Sequence, residues 1–202
     1  MFAQVIRGRV SNPELVEETF ARWSKELAPA ATGWLGTTGG VTDDGQLFIM
    51  VRFESEEAAQ ANSDRPEQGE FWAEVSKKFD GEAAFYNSIE VLTDIRGDLD
   101  SAGFVQVLHG QVSDVARSKQ IGEATHEVRK AWRPDILGQV VVGYEEGKFH
   151  RISYFTNEEE AREGESKGIP EEIQPALKEM LSLSVGQPEF LDIKKPWIDS
   201  PK

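Results

Sequence analysis

The stretch Phe2–Asn12, FAQVIRGRVSN, occurs twice in this chain, because Phe104–Asp114 reads FVQVLHGQVSD. When residues 1–12 are aligned with residues 103–114, six of the twelve positions are identical. At ordinary amino-acid usage about one match is expected in such a window. The identical pairs are Phe2/Phe104, Gln4/Gln106, Val5/Val107, Gly8/Gly110, Val10/Val112 and Ser11/Ser113. An internal repeat with an offset of 102 residues therefore decides the architecture.

The charge and composition of the 202 residues exclude several classes of function. The formal net charge is −14 and no run of Lys or Arg interrupts it, so nucleic acid is not an expected partner. Cysteine is absent from the sequence, which excludes disulfides, a thiolate nucleophile and sulfur ligands for a metal. No apolar run approaches the roughly 18 residues of a membrane span, and the chain begins directly with a strand pattern. We expect a cytoplasmic protein with no membrane partner.

Apolar spacing in the first half predicts the element order β-α-β-β-α-β. A strand over residues 2–10 is apolar on both faces near its start, and Ser11-Asn12-Pro13 is typical of a helix start. The helix that follows carries an apolar stripe spaced by four, three and four residues, at Val16, Phe20, Trp23 and Leu27. Strands over 34–41 and 47–53 are joined by a turn at Gly45, and after helical segments a last strand is expected over 84–92.

The second half repeats this pattern at the same offset, except that its first helix aligns better at an offset of 101. The polar stretch over 94–102 between the halves is typical of a linker. We therefore expect two domains, over residues 1–98 and 103–198, of class α+β. One βαββαβ unit leaves a sheet face without helices, and two units can bury both bare faces by packing sheet to sheet as an intrachain α/β barrel.

Two motifs carry a resemblance to a known superfamily. Val10-Ser11-Asn12-Pro13 closes the first strand, and VRFESEEA at 51–58 leads from a strand into a helix. They recur as Val112-Ser113-Asp114 and as YFTNEEEA at 154–161. Each half thus resembles a ferredoxin-like unit of the dimeric α/β-barrel superfamily, close to the antibiotic-biosynthesis-monooxygenase domains. That superfamily includes cofactor-independent oxygenases of polycyclic aromatics, haem-degrading enzymes and proteins of no known activity, so the resemblance implies a fold before a function.

Histidines are the first candidates for chemistry. His109 lies on the repeated strand with the parity of Val105 and Val107, so it is expected to face the barrel and act as catalytic acid, base or ligand orienter. His150 lies on the strand expected beside it and is a candidate for substrate binding. The alternative is a strand-end histidine near solvent. Because the three histidines are scattered and His126 lies on a helix, neither a metal site nor a haem cofactor is expected.

The other candidates for substrate binding are Arg7, Arg52, Trp34 and Tyr154. A cation at the barrel wall can hold an oxyanion or a carboxylate, whereas surface ion pairs with the many glutamates are the alternative for Arg7 and Arg52. Trp34 begins a strand, where it can stack on an aromatic ligand or pack in the core. Tyr154 stands where the first half has Arg52, as His109 stands where it has Arg7. Such exchanges indicate that the halves contribute unequally to a site.

Two functional hypotheses follow. In the first, the barrel binds an apolar or aromatic small molecule in a cavity on the sheet faces remote from the helices, as a cofactor-independent monooxygenase-like enzyme. In the second, the chain is a non-catalytic scaffold or binding module whose barrel is filled by side chains. Either way the expected state is a monomer, or a dimer of chains that are each pseudo-dimeric.

Overall fold

A computed structural model describes residues 1–201, which form two antiparallel five-stranded sheets and seven α-helices. In chain order the elements are β1 (Phe2–Arg9), α1 (Pro13–Glu26), β2 (Trp34–Val41), β3 (Gln46–Phe53), α2 (Glu56–Ser63), α3 (Pro66–Val75), β4 (Ala84–Ser88), β5 (Val91–Ile95), β6 (Phe104–Gln111), α4 (Val115–Ala124), α5 (His126–Trp132), β7 (Ile136–Gly143), β8 (Lys148–Phe155), α6 (Glu158–Ser166), α7 (Gln174–Ser182), β9 (Glu189–Ile193) and β10 (Trp197–Asp199). One compact unit comprises residues 1–91 with the C-terminal stretch from Ile193, and the other comprises Leu92–Asp192.

The first unit is built on the sheet order β10-β2-β3-β1-β4. The part β2-β3-β1-β4 has the strand order of a ferredoxin-like sheet. β1 runs antiparallel to β3, with Phe2 opposite Phe53 and Arg9 opposite Gln46. Helix α1 begins where the sequence predicts it, because the Asn12 side chain accepts a hydrogen bond from the Leu15 backbone N–H (3.1 Å). Its apolar stripe packs on one face of the sheet, which we call the helix side. The opposite face is called the helix-free side.

Two glycines of β2 make room for the last strand. A Cβ at Gly39 would lie 3.2 Å from Trp197 on β10, and a Cβ at Gly36 would lie 3.1 Å from the Asp199 carbonyl oxygen. Gly36 also has a φ of 138°, next to the irregularity in the β2–β3 register. The glycines that weaken the strand pattern in the sequence therefore admit β10 at the edge of the sheet.

The second unit repeats the order as β5-β7-β8-β6-β9. Strand β6 pairs with β8 with Phe104 opposite Phe155, a register 102 residues beyond that of β1 and β3. Its first helical region is divided into α4 and α5 at Thr125, whose hydroxyl donates to the Ile121 carbonyl oxygen (2.8 Å). This division accompanies the shifted offset that the first helix shows in sequence.

The α+β class and the tandem ferredoxin-like topology are confirmed, whereas two local expectations are wrong. The last strand of the first repeat does not extend over 84–92, since β4 ends at Ser88 and a separate strand β5 begins at Val91. The expected linker is partly ordered, because β5 extends to Ile95 at the edge of the second sheet and Leu99 is buried. These edge strands pair with partners distant in sequence, which local patterns do not reveal.

Sheet-to-sheet packing of the two repeats as a barrel stays a prediction. Within residues 1–201, none of the helices has the length and apolar character needed to cross a membrane.

Candidate functional site

The two predicted arginines lie on the helix-free side of the first sheet. Arg7 is opposite Phe48, and its Nη2 donates to the Gln46 side-chain oxygen (3.4 Å). Arg52 is opposite Ala3 and donates from Nη2 to the Leu35 carbonyl oxygen (3.5 Å), while its Nε is buried without a partner among residues 1–201. The two cations thus share one face of adjacent strands, but each is held by its own neighbours.

On the second sheet the structure brings the two predicted histidines together. His109 and His150 are directly opposite in the β6–β8 register, and their rings stack with centroids 4.5 Å apart. His150 is fully buried, and its Nδ1 shares a hydrogen bond of 3.0 Å with the Tyr144 hydroxyl. The His109 side chain is 28% exposed, and its Nδ1 lies 3.5 Å from Glu189 Oε2. We call this series, Glu189–His109–His150–Tyr144, the histidine series.

Chemically, the histidine series places a carboxylate against one imidazole and a phenol against the next. A carboxylate beside a histidine can orient the ring, which is an arrangement found in acid–base groups. Tyr154 lies on the same face of β8 and is also fully buried, opposite Val105 and Gly138. The sequence did not indicate Tyr144 or Glu189, since neither lies within the best-matched repeat motifs.

Trp34 lies on the other side of its sheet from Arg7 and Arg52, among the helices. Its ring meets that of Trp23 edge to face at 5.4 Å, and its Nε1 donates to the Thr37 hydroxyl (3.1 Å). Both tryptophans are buried in the apolar cluster that α1 forms with β1, β2 and β3. Trp34 therefore belongs to the core, and at the same time it borders a pocket.

That pocket, which we call the aromatic pocket, lies between α1 and the β2–β10 edge of the first unit. It has a volume of about 970 Å³. Phe20 and Trp197 stack with centroids 5.8 Å apart and form one wall, and Trp23 and Trp34 form another. The polar side chains that line it are Glu17, Ser24, Lys25, Thr37, Asp199 and Ser200. From the sequence, Trp23 was expected in the apolar stripe of α1 and no role was expected for Trp197, so most of this wall was missed.

A second pocket, which we call the arginine pocket, lies on the helix side of the second sheet. Its volume is about 480 Å³. Strand β8 supplies Arg151 and Ser153, α6 supplies Arg162, and Arg133 follows α5. None of these residues was a candidate from the sequence. A signal was present, however, because Arg151 stands 102 residues after Ile49, a core residue of the first unit.

Both pockets lie on the helix side of their sheets, whereas the sequence analysis placed the site on the helix-free side. Of its six candidates, only Trp34 lines either pocket. The roles of His109, His150, Tyr154, Arg7 and Arg52 stay predictions.

Comparison with known proteins places the fold. No family model matches the sequence, and no curated protein matches it. Solved structures do match over nearly the whole chain. A protein from Fusobacterium nucleatum provisionally named a monooxygenase aligns with 98% of this chain and 94% of its own, at 10% identity and a TM-score of 0.75. The chain has a monooxygenase-like ferredoxin fold. The resemblance predicted from the sequence is thus confirmed at the level of the fold.

Other solved structures with this fold have names that indicate different functions. An anthrone oxidase-like protein aligns with 98% of this chain and 92% of its own, at 14% identity and a TM-score of 0.68. A regulator of staphylococcal pathogenesis aligns with 96% of this chain and 99% of its own, at 10% identity and a TM-score of 0.53. Proteins named as an oxidase and as a regulator thus share this fold, so the fold alone does not decide the function of this chain.

Proposed function

We propose that this protein binds an apolar aromatic small molecule in the aromatic pocket. The observation that carries the proposal is the wall of four aromatic rings around a concave space on the helix side of the first sheet. A volume of about 970 Å³ is at the upper end of small-molecule sites. Tryptophan and phenylalanine faces stack on flat apolar rings, and a polar side chain of the pocket lining can fix the orientation of one ligand oxygen.

We further propose that the bound molecule is oxidised by O₂ without a cofactor. The name of the anthrone oxidase-like protein supplies the reaction class to test. In that reaction a ring methylene becomes a carbonyl: anthrone and one O₂ give anthraquinone and one water, so no reductant is consumed. Such an oxidation begins with loss of a proton from the methylene. His109 lies on the helix-free side of the second sheet and does not line the aromatic pocket, so we do not assign this step to it.

The binding proposal is tested with N-phenyl-1-naphthylamine, a neutral aromatic probe whose binding is followed by quenching of tryptophan fluorescence. Ser24→Phe places a ring inside the aromatic pocket from the half-buried face of α1, and should weaken binding at least tenfold. Glu18→Phe adds the same ring to an exposed position of α1 that does not line the pocket, and should leave binding unchanged. Equal affinity of the probe for Ser24→Phe and the unmodified protein would contradict the proposed site.

The oxidation is tested separately by measuring O₂ uptake and anthraquinone formation from anthrone. The expected result is one O₂ consumed per anthraquinone, with turnover lowered at least tenfold in Ser24→Phe and unchanged in Glu18→Phe. Binding without O₂ uptake would support the non-catalytic binding module instead. Turnover unchanged in Ser24→Phe would show that the oxidation does not take place in the aromatic pocket.

A further inference from the structure

The arginine pocket contains a cation for which residues 1–201 supply no hydrogen bond to Nε and no carboxylate. Arg151 lies in the middle of β8, opposite Leu108 on β6 and Val141 on β7. Its Nε is buried and, among residues 1–201, no group forms a hydrogen bond with it. No carboxylate of the same range pairs with Arg151, although the chain carries 36 acidic residues. A buried charge without a partner is unfavourable, so its presence needs a reason.

The other two arginines of this pocket are fully engaged. Arg133 forms a fork with Asp135, with its Nε and Nη2 at 3.0 and 2.7 Å from the two carboxylate oxygens. Arg162 contacts three carboxylates, those of Glu158, Glu165 and Asp192. Arg151 is therefore the one arginine of the pocket lining whose charge the described part of the chain leaves uncompensated.

The surroundings of Arg151 increase its attraction for an anion. Burial is the main cause that lowers the pKa of the Arg151 guanidinium to about 10, and the positive charges of Arg129 and Arg133 lower it further. The group stays protonated at neutral pH, because that pKa is about three units higher. A cation that solvent and the protein stabilise poorly gains the most from an anion that enters the pocket.

The repeat supplies an independent observation. At the offset of 102, the positions of Arg151, Ser153 and Gln139 correspond to Ile49, Val51 and Thr37 in the first unit. Ile49 is a fully buried member of an apolar cluster, and the strand registers of the two units are the same. On the helix side of its sheet, the second unit thus has Arg151 and Ser153 where the first unit has the apolar residues Ile49 and Val51.

We propose that Arg151 binds the carboxylate of a small apolar or aromatic acid in the arginine pocket. Phe155 and Ile136 give the pocket apolar walls for the body of the acid, and the half-exposed Phe190 lies at its mouth. Gln139 donates to the Ser153 hydroxyl oxygen (2.8 Å), which leaves the Ser153 proton for a carboxylate oxygen. Glu165 and Asp192 also line the pocket, and their charges disfavour a dianion such as phosphate. This site is separate from the aromatic pocket and does not rest on the function proposed for it.

The first test compares 1-naphthoate with its neutral analogue 1-naphthamide by calorimetry and thermal unfolding. We expect naphthoate to bind and to raise the Tm, and naphthamide to bind at least tenfold more weakly. Arg151→Met should remove the preference for naphthoate, whereas Arg117→Met, at an exposed arginine paired with Glu179 outside the pocket, should keep it. Equal binding of the acid and the amide, or of naphthoate to Arg151→Met, would overturn the proposal. Protection by inorganic phosphate as strong as that by naphthoate would overturn the carboxylate class.

A second pair of variants keeps the test decisive if Arg151→Met does not fold. Val141 is directly opposite Arg151, so a carboxylate introduced there lies within reach of the guanidinium. Val141→Glu should act as an internal anion and abolish naphthoate binding, while Val141→Gln, of the same size but neutral, should retain it. Retained binding in Val141→Glu would show that Arg151 is not the anion site.

Discussion

At the scale of single residues, His109 and His150 form a stacked pair whose two rings have different environments. His109 is partly exposed beside Glu189, whereas His150 is fully buried with Tyr144 as its hydrogen-bonding neighbour. A Phe at position 109 can keep the ring stacking, but a Phe at the fully buried position 150 loses the hydrogen bond to the Tyr144 hydroxyl. We therefore expect His109→Phe to change the free energy of unfolding by less than about 1 kcal/mol. His150→Phe should lower it by about 1–3 kcal/mol.

Urea unfolding of both variants at pH 7 measures this difference, and near-ultraviolet circular dichroism checks that the fold is retained. A loss of several kcal/mol in His109→Phe would contradict the picture, because it would make His109 a structural residue. This pair was predictable from the sequence, since the repeat places both histidines on adjacent strands. Arg151 was not predicted, because the sequence does not show that its Nε is buried and that no carboxylate of residues 1–201 reaches it.

At the scale of elements, the sequence predicts the four-stranded core of each unit but misses both edge strands. Helix starts such as Ser11-Asn12-Pro13 and the turn at Gly45 are local signals, and the structure shows both where they were expected. β5 has only five residues, three of them exposed, and it is held at the second sheet partly by charge. Arg96 reaches back to Asp94 on β5 through Nε (2.9 Å) and Nη2 (2.7 Å), and His126 lies 3.8 Å from the same carboxylate. Interactions of this kind form between residues that only the folded chain brings together, so no local sequence pattern predicts them.

Asp94 supplies the prediction at this scale. Burial works against its ionisation, but the hydrogen bonds and charge of Arg96, with the charges of His126 and Lys130, outweigh burial and hold the pKa of Asp94 below its ordinary value. A carboxylate with a lowered folded-state pKa stabilises the fold above its unfolded pKa of about 3.9, and the contribution is lost as the pH falls through the lower folded value. Asp94→Asn should therefore lower the free energy of unfolding by about 1 kcal/mol at pH 6–7. The difference from the unmodified protein should vanish at the acidic end of a urea-unfolding series from pH 7 to pH 2.5. Glu123→Gln, at an exposed position, is the control, and a deficit in Asp94→Asn that persists at the lowest pH would contradict the electrostatic origin.

At the scale of the whole molecule, no family model matches the sequence, but the two units repeat one strand order. The identical positions of the repeat are packing and turn positions. Gly8 and Gly110 are examples, since a Cβ at either would lie within 3.1 Å of an aromatic ring, that of Phe79 or Phe149. Each helix-free sheet face has an apolar part, with Ala3, Val5 and Met50 on the first and Val105, Val107 and Ile152 on the second, beside the arginines and histidines described above. Apolar side chains on a sheet face are stable only when another element buries them, and the helices of the same unit lie on the other side of the sheet. We predict that the two faces cover each other within one chain, so that the monomer is stable alone.

The absence of cysteine makes this prediction measurable, because a single introduced thiol is the only one in the protein. Val5→Cys and Val107→Cys should each resist a thiol reagent at concentrations where sedimentation shows a monomer. Glu123→Cys should react at once, since that position is exposed. Rapid reaction of both introduced thiols in the monomer would exclude an intrachain barrel. Protection that arises only with dimer formation would show that each face is covered by a second chain, as in single-repeat proteins that need two chains to close the barrel.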